Sequence, residues 1–471
     1  MPKNDYWKLS AYESAKLIKD GSISAEDLVS SCIERVNQTN NKINAIVDNL
    51  SEPALEKAHE LDKLTKKGKF KGPLHGVPIT IKENIDQKGY ATPNGLEALK
   101  DLIAPGNAPV VDNLEQDGAI VIGRTNTPEF SMRGTTDNVI HGRTYNPWND
   151  WASPGGSSGG ASAAVMSGMG SLAHGNDIAG SLRIPSTATG ACTVKPGLGR
   201  VPAFNPSQTQ ERGLVAQLMS VQGIIAREIK DVRLGMQSLI NYDPRDPWMV
   251  EMPFESKSVT SPIKIGYTKE TLGEVLHPAV DKALENAIEA LKDAGYILEE
   301  IVLPEFQDAT NYSARTLFGE LKALHEKDYK KLGSENFNLV ADNYFQIISP
   351  FEGEDLLLGM AKRSYFFREW NLFFRKYPLV LTPFLLYPTY EWDRDIQGLE
   401  GTKEVLAGMF YAHTMNYMGI PAGVVSANYN DGLPVGVQII SSRFCEDIIL
   451  EACEEIEKRV GIMAEKLFAR G

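Results

Sequence analysis

Three short segments of this 471-residue sequence set reactive side chains beside glycine-rich turns. In Gly76-Val77-Pro78-Ile79-Thr80-Ile81-Lys82-Glu83-Asn84, a lysine ends an apolar, strand-like run. Alone, it reads as a solvated lysine at a strand terminus. In Ser153-Pro154-Gly155-Gly156-Ser157-Ser158-Gly159-Gly160, a Gly/Ser loop opens onto residues 161–165, which can form a helix. Free backbone N–H groups point out of such a loop and suit an anion. The loop lacks the G-x-x-x-x-G-K-[ST] pattern of a nucleotide-phosphate loop, and on its own it reads as a flexible linker. In His174-Gly175-Asn176-Asp177-Ile178-Ala179-Gly180-Ser181-Leu182-Arg183-Ile184-Pro185, a serine directly follows a small-residue turn. That turn lets N–H groups converge where an oxyanion develops beside a nucleophile.

Together the three segments resemble the amidase signature family. Its Gly-Gly-Ser-Ser-Gly-Gly block precedes Asp-x-Gly-Gly-Ser-x-Arg-x-Pro with the separation that Ser157 and Ser181 show here, and its lysine segment, Gly-[VI]-Pro-x-x-[IV]-Lys-[DE], matches Lys82. Further matches are Gly123-Arg124-Thr125-Asn126-Thr127-Pro128-Glu129, Asn146-Pro147-Trp148, Val194-Lys195-Pro196 with Gly199-Arg200-Val201, and Gly432-Leu433-Pro434-Val435-Gly436-Val437-Gln438. They occur in the family's order over most of the chain.

The resemblance implies a hydrolase that cleaves carbon–nitrogen bonds of carboxylic amides through an acyl-enzyme on Ser181, with anilides, esters or carbamates as further substrates. A serine hydroxyl is a weak nucleophile until its proton is taken. In the family's scheme the proton passes from Ser181 through Ser157 to a neutral Lys82, whose pKa burial or a nearby positive charge must lower. The resemblance further implies a cis Gly156–Ser157 bond and an oxyanion hole from the N–H groups of Ile178, Ala179, Gly180 and Ser181. Ser158, Asp177 and Arg183 are expected to support the serine loop, the last two also reading as an ordinary ion pair. His174 is given a structural role. No metal or cofactor is implied.

Two positions depart from the family pattern. Ala179 stands where glycine is common, which implies a backbone with negative φ or a reshaped hole. Gly197 stands where threonine commonly follows Lys-Pro.

The family spans fatty acid amide, aryl, indoleacetamide and nylon-oligomer hydrolases and the amidotransferase A subunit, so the motifs leave the acyl pocket open. Residues 131–136, 312–318 and 382–390 are the expected pocket material, with Phe318, Phe384, Tyr387 and Tyr390 either lining an apolar site or belonging to plain core. A free-standing amidase for a small-molecule amide is the leading reading. The alternatives are the glutaminase A subunit of a tRNA-dependent amidotransferase, which needs partner chains, and a non-catalytic anion-binding protein. A homodimer is left open.

The net charge of −13 argues against nucleic acid as main ligand. Four cysteines in no metal or redox spacing read as reduced thiols. No signal-like start or long apolar run is seen, so a cytoplasmic protein without a membrane span is expected.

To position the three segments, the pattern predicts an α/β fold: one large domain with a central mixed sheet covered by helices on both faces. Residues 1–72 are expected as an N-terminal helical segment, opened by a Ser10-x-x-Glu13 capping box and a second start at Ser24. Residues 73–240 are expected to form the core carrying the catalytic residues, and 263–471 a helical insertion, the remaining sheet and the substrate pocket. Strands are predicted at 77–81, 119–122, 171–173, 263–267, 297–302, 379–382, 423–427 and 435–440. Long helices are predicted at 279–294, 309–329, 355–374 and 402–418, and a linker at 242–262.

Overall fold

The computed structural model describes residues 1–256 and 262–470. Its centre is a sheet of eleven strands among these residues, in one large α/β domain. In chain order they are β1 (Ile46–Asn49), β2 (Pro78–Lys82), β3 (Ile120–Thr125), β4 (Leu172–Asp177), β5 (Cys192–Lys195), β6 (Val221–Ala226), β7 (Lys264–Tyr267), β8 (Ile297–Glu300), β9 (Leu379–Pro383), β10 (Ala422–Asn430) and β11 (Leu433–Ser441). The spatial order is β1-β3-β2-β4-β6-β5-β10-β11-β9-β7-β8. β2 runs parallel to β3 and β4, and β7 parallel to β8 and β9, while the other pairs are antiparallel. The sheet is therefore mixed, with helices on both faces.

Strands covered on both faces read as unbroken apolar runs, and β2 (Pro-Ile-Thr-Ile-Lys) is buried along its whole length. Helix starts follow the local chemistry. Ser10 and Glu13 form a reciprocal capping box, and the Ser24 hydroxyl accepts from the Asp27 N–H. The largest apolar cluster joins β2, β4, β5 and β9–β11 to the helices Ile229–Leu239, Pro278–Asp293 and Glu446–Val460.

Three expectations need correction. The helix predicted over 402–418 is two, Gly398–Ala407 and Phe410–Met418. The break falls at Gly408, where a Cβ would stand 2.8 Å from the Tyr387 ring. Of the predicted linker 242–262, residues 257–261 lie outside the described residues. The preceding part is packed: Arg200 donates to the carbonyls of Met252, Pro253 and Phe254 at 2.9–3.0 Å. Finally, β1, β5 and β6 lie in stretches where no strand was predicted.

Among the described residues no helix is long and apolar enough to cross a membrane. All four cysteines are free.

Candidate active site

Parallel pairing of β2 with β4 brings the C-terminal ends of both strands to one edge of the sheet. Lys82 is the last residue of β2, and Asn176 and Asp177 end β4. The Gly/Ser loop meets this edge just before the helix Gly159–Met166. Its Gly156–Ser157 bond is cis. The loop passes so close to a neighbouring strand of chain that a Cβ on Gly156 would lie 2.5 Å from the Arg133 carbonyl oxygen.

Lys82 is fully buried, and its Nζ donates to Ser157 Oγ at 2.7 Å and to Asn176 Oδ1 at 2.8 Å. Burial lowers its pKa from 10.5 to about 7, against the opposing pull of Asp177 and Glu83. Such a lysine can take up a proton at neutral pH. Ser157 and Ser181 both line a cavity of about 600 Å3. The Ser158 N–H donates to the Ser181 carbonyl at 3.2 Å and ties the two loops together. The Ser157 and Ser181 hydroxyls are not hydrogen-bonded to each other, so only the lysine half of a Ser–Ser–Lys chain is formed. Such contacts often close only around a substrate.

The turn between β4 and the helix Arg183–Thr189 is held by Asp177. Its carboxylate accepts from the N–H groups of Gly180 (2.7 Å) and Leu182 (3.2 Å) and pairs with Arg183 at 3.0 Å. Burial would raise the pKa of this carboxyl, but Arg183 holds it below the usual range. Arg183 is fixed in turn by Gln438, the Ala412 carbonyl and Asn416. Gly180 has φ +112°, and a Cβ there would meet Ile184 and Ala412. Because its N–H points to Asp177, Gly180 drops out of the expected set of oxyanion donors, leaving Ile178, Ala179 and Ser181. Ala179 is not among the residues with positive φ.

The Ser158 hydroxyl makes a long contact to the Asn176 carbonyl, at 3.4 Å. His174 is buried against Gln222, 3.0 Å from its Oε1. Burial drives its pKa to about 3, so the ring stays neutral.

The cavity wall differs from the expected pocket material. Of residues 131–136 only Ser131 and Met132 line it, and 312–318 and 382–390 contribute nothing. Phe384 and Tyr390 are core: Arg183 lies over the Phe384 ring at 5.3 Å, and the Tyr390 hydroxyl bonds the Gly134 carbonyl. The apolar lining includes Phe130, Met132, Leu198, Val201, Leu321 and Tyr329, and most of the lining precedes residue 249. The polar lining near the two serines includes Asn84, Asn94, Ser131 and Asn176, and the charged residues Glu211, Arg212, Arg245 and Asp246 also border the cavity. Phe130, Ser131 and Asn94 all hold left-handed backbone (φ 50–54°), uncommon for residues with a Cβ.

Sequence reasoning missed Asn176, Asn84 and Asn94. Asn84 sits two positions after Lys82, but Asn176 reaches the lysine only through the β2–β4 register. Among the described residues no group of three His, Cys, Asp or Glu side chains is placed to hold a metal ion.

The sequence and fold have known counterparts. A family model described as Amidase matches residues 27–450. The chain is 42% identical over 468 residues to an indoleacetamide hydrolase of Bradyrhizobium diazoefficiens, covering 99% of this chain and 89% of that protein. It is 33% identical to an acylamidase of Rhodococcus erythropolis, covering 97% and 96%. The crystal structure of a bacterial aryl acylamidase of the amidase signature family superposes with a TM-score of 0.82 at 26% identity, over 98% of both chains.

Proposed function

The chain belongs to the amidase signature family and is an amide hydrolase, and from that premise we propose that it works through an acyl-enzyme on Ser181, with Ser157 as relay and Lys82 as base. The observation that carries this reading is the buried Lys82 amino group, 2.7 Å from Ser157 Oγ at the wall of the cavity that Ser181 also lines. Neutral Lys82 takes the Ser157 proton as Ser157 takes that of Ser181, and the Ser181 oxygen attacks the amide carbonyl. The carbonyl oxygen becomes an oxyanion that the N–H groups of Ile178, Ala179 and Ser181 face. The proton then returns through Ser157 to the departing amine, leaving the acyl group on Ser181. Water, activated along the same path, releases the acid.

The substrate we infer is a small amide with an aromatic or similarly apolar acyl group, such as an arylacetamide. The Phe130, Met132, Leu321 and Tyr329 wall supports this, as does the name of the 42%-identical relative. A cavity of about 600 Å3 falls within the range of small-molecule sites, ~300–1,000 Å3.

The test is covalent labelling by a fluorophosphonate, read by intact mass and peptide mapping. One adduct on Ser181 is expected in the wild type and none in Ser181→Ala, which should also lose turnover while melting normally. Labelling of another serine, or more than a few per cent of activity left in Ser181→Ala, would refute the assignment.

A further inference from the structure

We propose that Asn176 is a positioning residue that aims the Lys82 lone pair at Ser157. The inference rests on the reading of Lys82 as the base. A neutral lysine has two N–H bonds and one lone pair, and only the lone pair can accept the Ser157 proton. Nζ has two side-chain partners, Ser157 Oγ at 2.7 Å and Asn176 Oδ1 at 2.8 Å. If Asn176 accepts one N–H, the amine is rotated so that its lone pair is free to meet Ser157.

The neighbours of Asn176 fix which end of its amide faces the lysine. Its Nδ2 donates to Asn84 Oδ1 at 2.9 Å, Asn84 Nδ2 donates to Ser131 Oγ at 2.9 Å, and Ser131 Oγ donates to Asn94 Oδ1 at 2.6 Å. In each of these bonds the donor points away from Lys82, and Asn84 Nδ2 also reaches back to Asn176 Oδ1 at 3.4 Å, a second donor on the oxygen that meets Nζ. Asn84 is anchored again through its own carbonyl, which accepts from Asn205 Nδ2 at 3.1 Å. Turning the Asn176 amide over would set its NH2 against Nζ and break the chain.

The neutrality of the acceptor matters. The charges that face Lys82 are Asp177, which Arg183 and Lys195 offset, and Glu83, while His174 is neutral. A carboxylate at 176 would add a third anion at hydrogen-bond distance and keep the lysine protonated. An apolar side chain would remove the acceptor and favour the neutral amine, but leave it unaimed. The two substitutions therefore move the titration in opposite directions, a signature that a merely structural residue lacks.

The experiment is kcat/KM against pH on an arylacetamide for wild type, Asn176→Asp, Asn176→Leu and Lys82→Ala. For Asn176→Asp the acid limb is expected to move up by at least one pH unit, with activity recovering at high pH. For Asn176→Leu it is expected to move down, with a plateau at least tenfold lower. Lower plateaus with an unmoved limb in both would overturn the proposal. Should either variant fail to fold by circular dichroism, Asn84→Leu carries the test. By freeing the Asn176 amide to turn over, it should lower both plateau and limb, and an unchanged profile would overturn the inference. A limb that persists in Lys82→Ala would instead overturn the base assignment, whatever the asparagine variants do.

Discussion

Replacing Lys82 by methionine is expected to inactivate the enzyme and yet stabilise its fold at neutral pH. Burial lowers the lysine from 10.5 to about 7 in the folded chain. Between these two values the unfolded chain binds more protons than the folded one, so wild-type stability rises with pH through this window. Above 10.5 both states are neutral and the burden vanishes. Below 7 it is fully present. At about 1.4 kcal/mol per pH unit, the burden is about 4 kcal/mol at pH 7 and about 1 kcal/mol at pH 9.5.

Methionine fills a similar volume and carries no charge. It also forfeits the two Nζ hydrogen bonds, leaving the buried Ser157 Oγ and the half-buried Asn176 Oδ1 without that donor. That loss costs about 1–3 kcal/mol at any pH. The net gain is then about 1–3 kcal/mol at pH 7, and it is gone or reversed at pH 9.5. For 471 residues the unfolding entropy is about 1 kcal/mol per kelvin, so 1 kcal/mol moves Tm by about 1 °C. Scanning calorimetry of both proteins at several pH values reads the difference directly, and contributions common to both cancel. The variant's advantage in Tm should fall by about 3 °C from pH 7 to pH 9.5. A difference constant to within about 1 °C would mean that Lys82 titrates as an ordinary lysine, and the argument for a neutral base would fail with it.

Two further outcomes follow from the same geometry. Lys82→Ala should cost more kcat/KM on an amide than on the ester of the same acid, because an amine must be protonated as it leaves and an alkoxide much less so; equal losses would remove Lys82 from the acid half of the reaction. Asp177→Asn should lower Tm by about 3–5 °C, the consequence of leaving Arg183 buried without its counter-ion at about 3–5 kcal/mol, and should lower kcat, because the Gly180 and Leu182 N–H groups lose their charged acceptor; wild-type kcat would refute a role for Asp177 in holding the turn.

The parts of the site legible in the sequence are those whose physics is local. A lysine closing an apolar run, a Gly/Ser loop opening a helix and a serine after a small-residue turn each depend on a few consecutive residues, and all three converge on one sheet edge. Contacts set by register were hidden. Asn176 meets Lys82 only because β2 lies parallel beside β4, and no pattern within either segment announces it. The cavity wall was hidden for a related reason: Phe130, Leu198, Leu321 and Tyr329 come from distant parts of the chain. Phe384 and Tyr390 had the right composition for a pocket, but composition does not separate a wall from a core.

The serine turn shows why a short motif does not by itself say which of its N–H groups are free. Its sequence suggests four N–H groups free to face a developing charge. Asp177 accepts from Gly180 and Leu182 and is itself fixed by Arg183, which Gln438 and Asn416 grip from β11 and from the helix Phe410–Met418. One potential donor is thus committed to fixing the others, since preorganised dipoles stabilise charge only if they need not move to meet it. The grip comes from residues more than two hundred positions further along the chain, which the local motif does not contain.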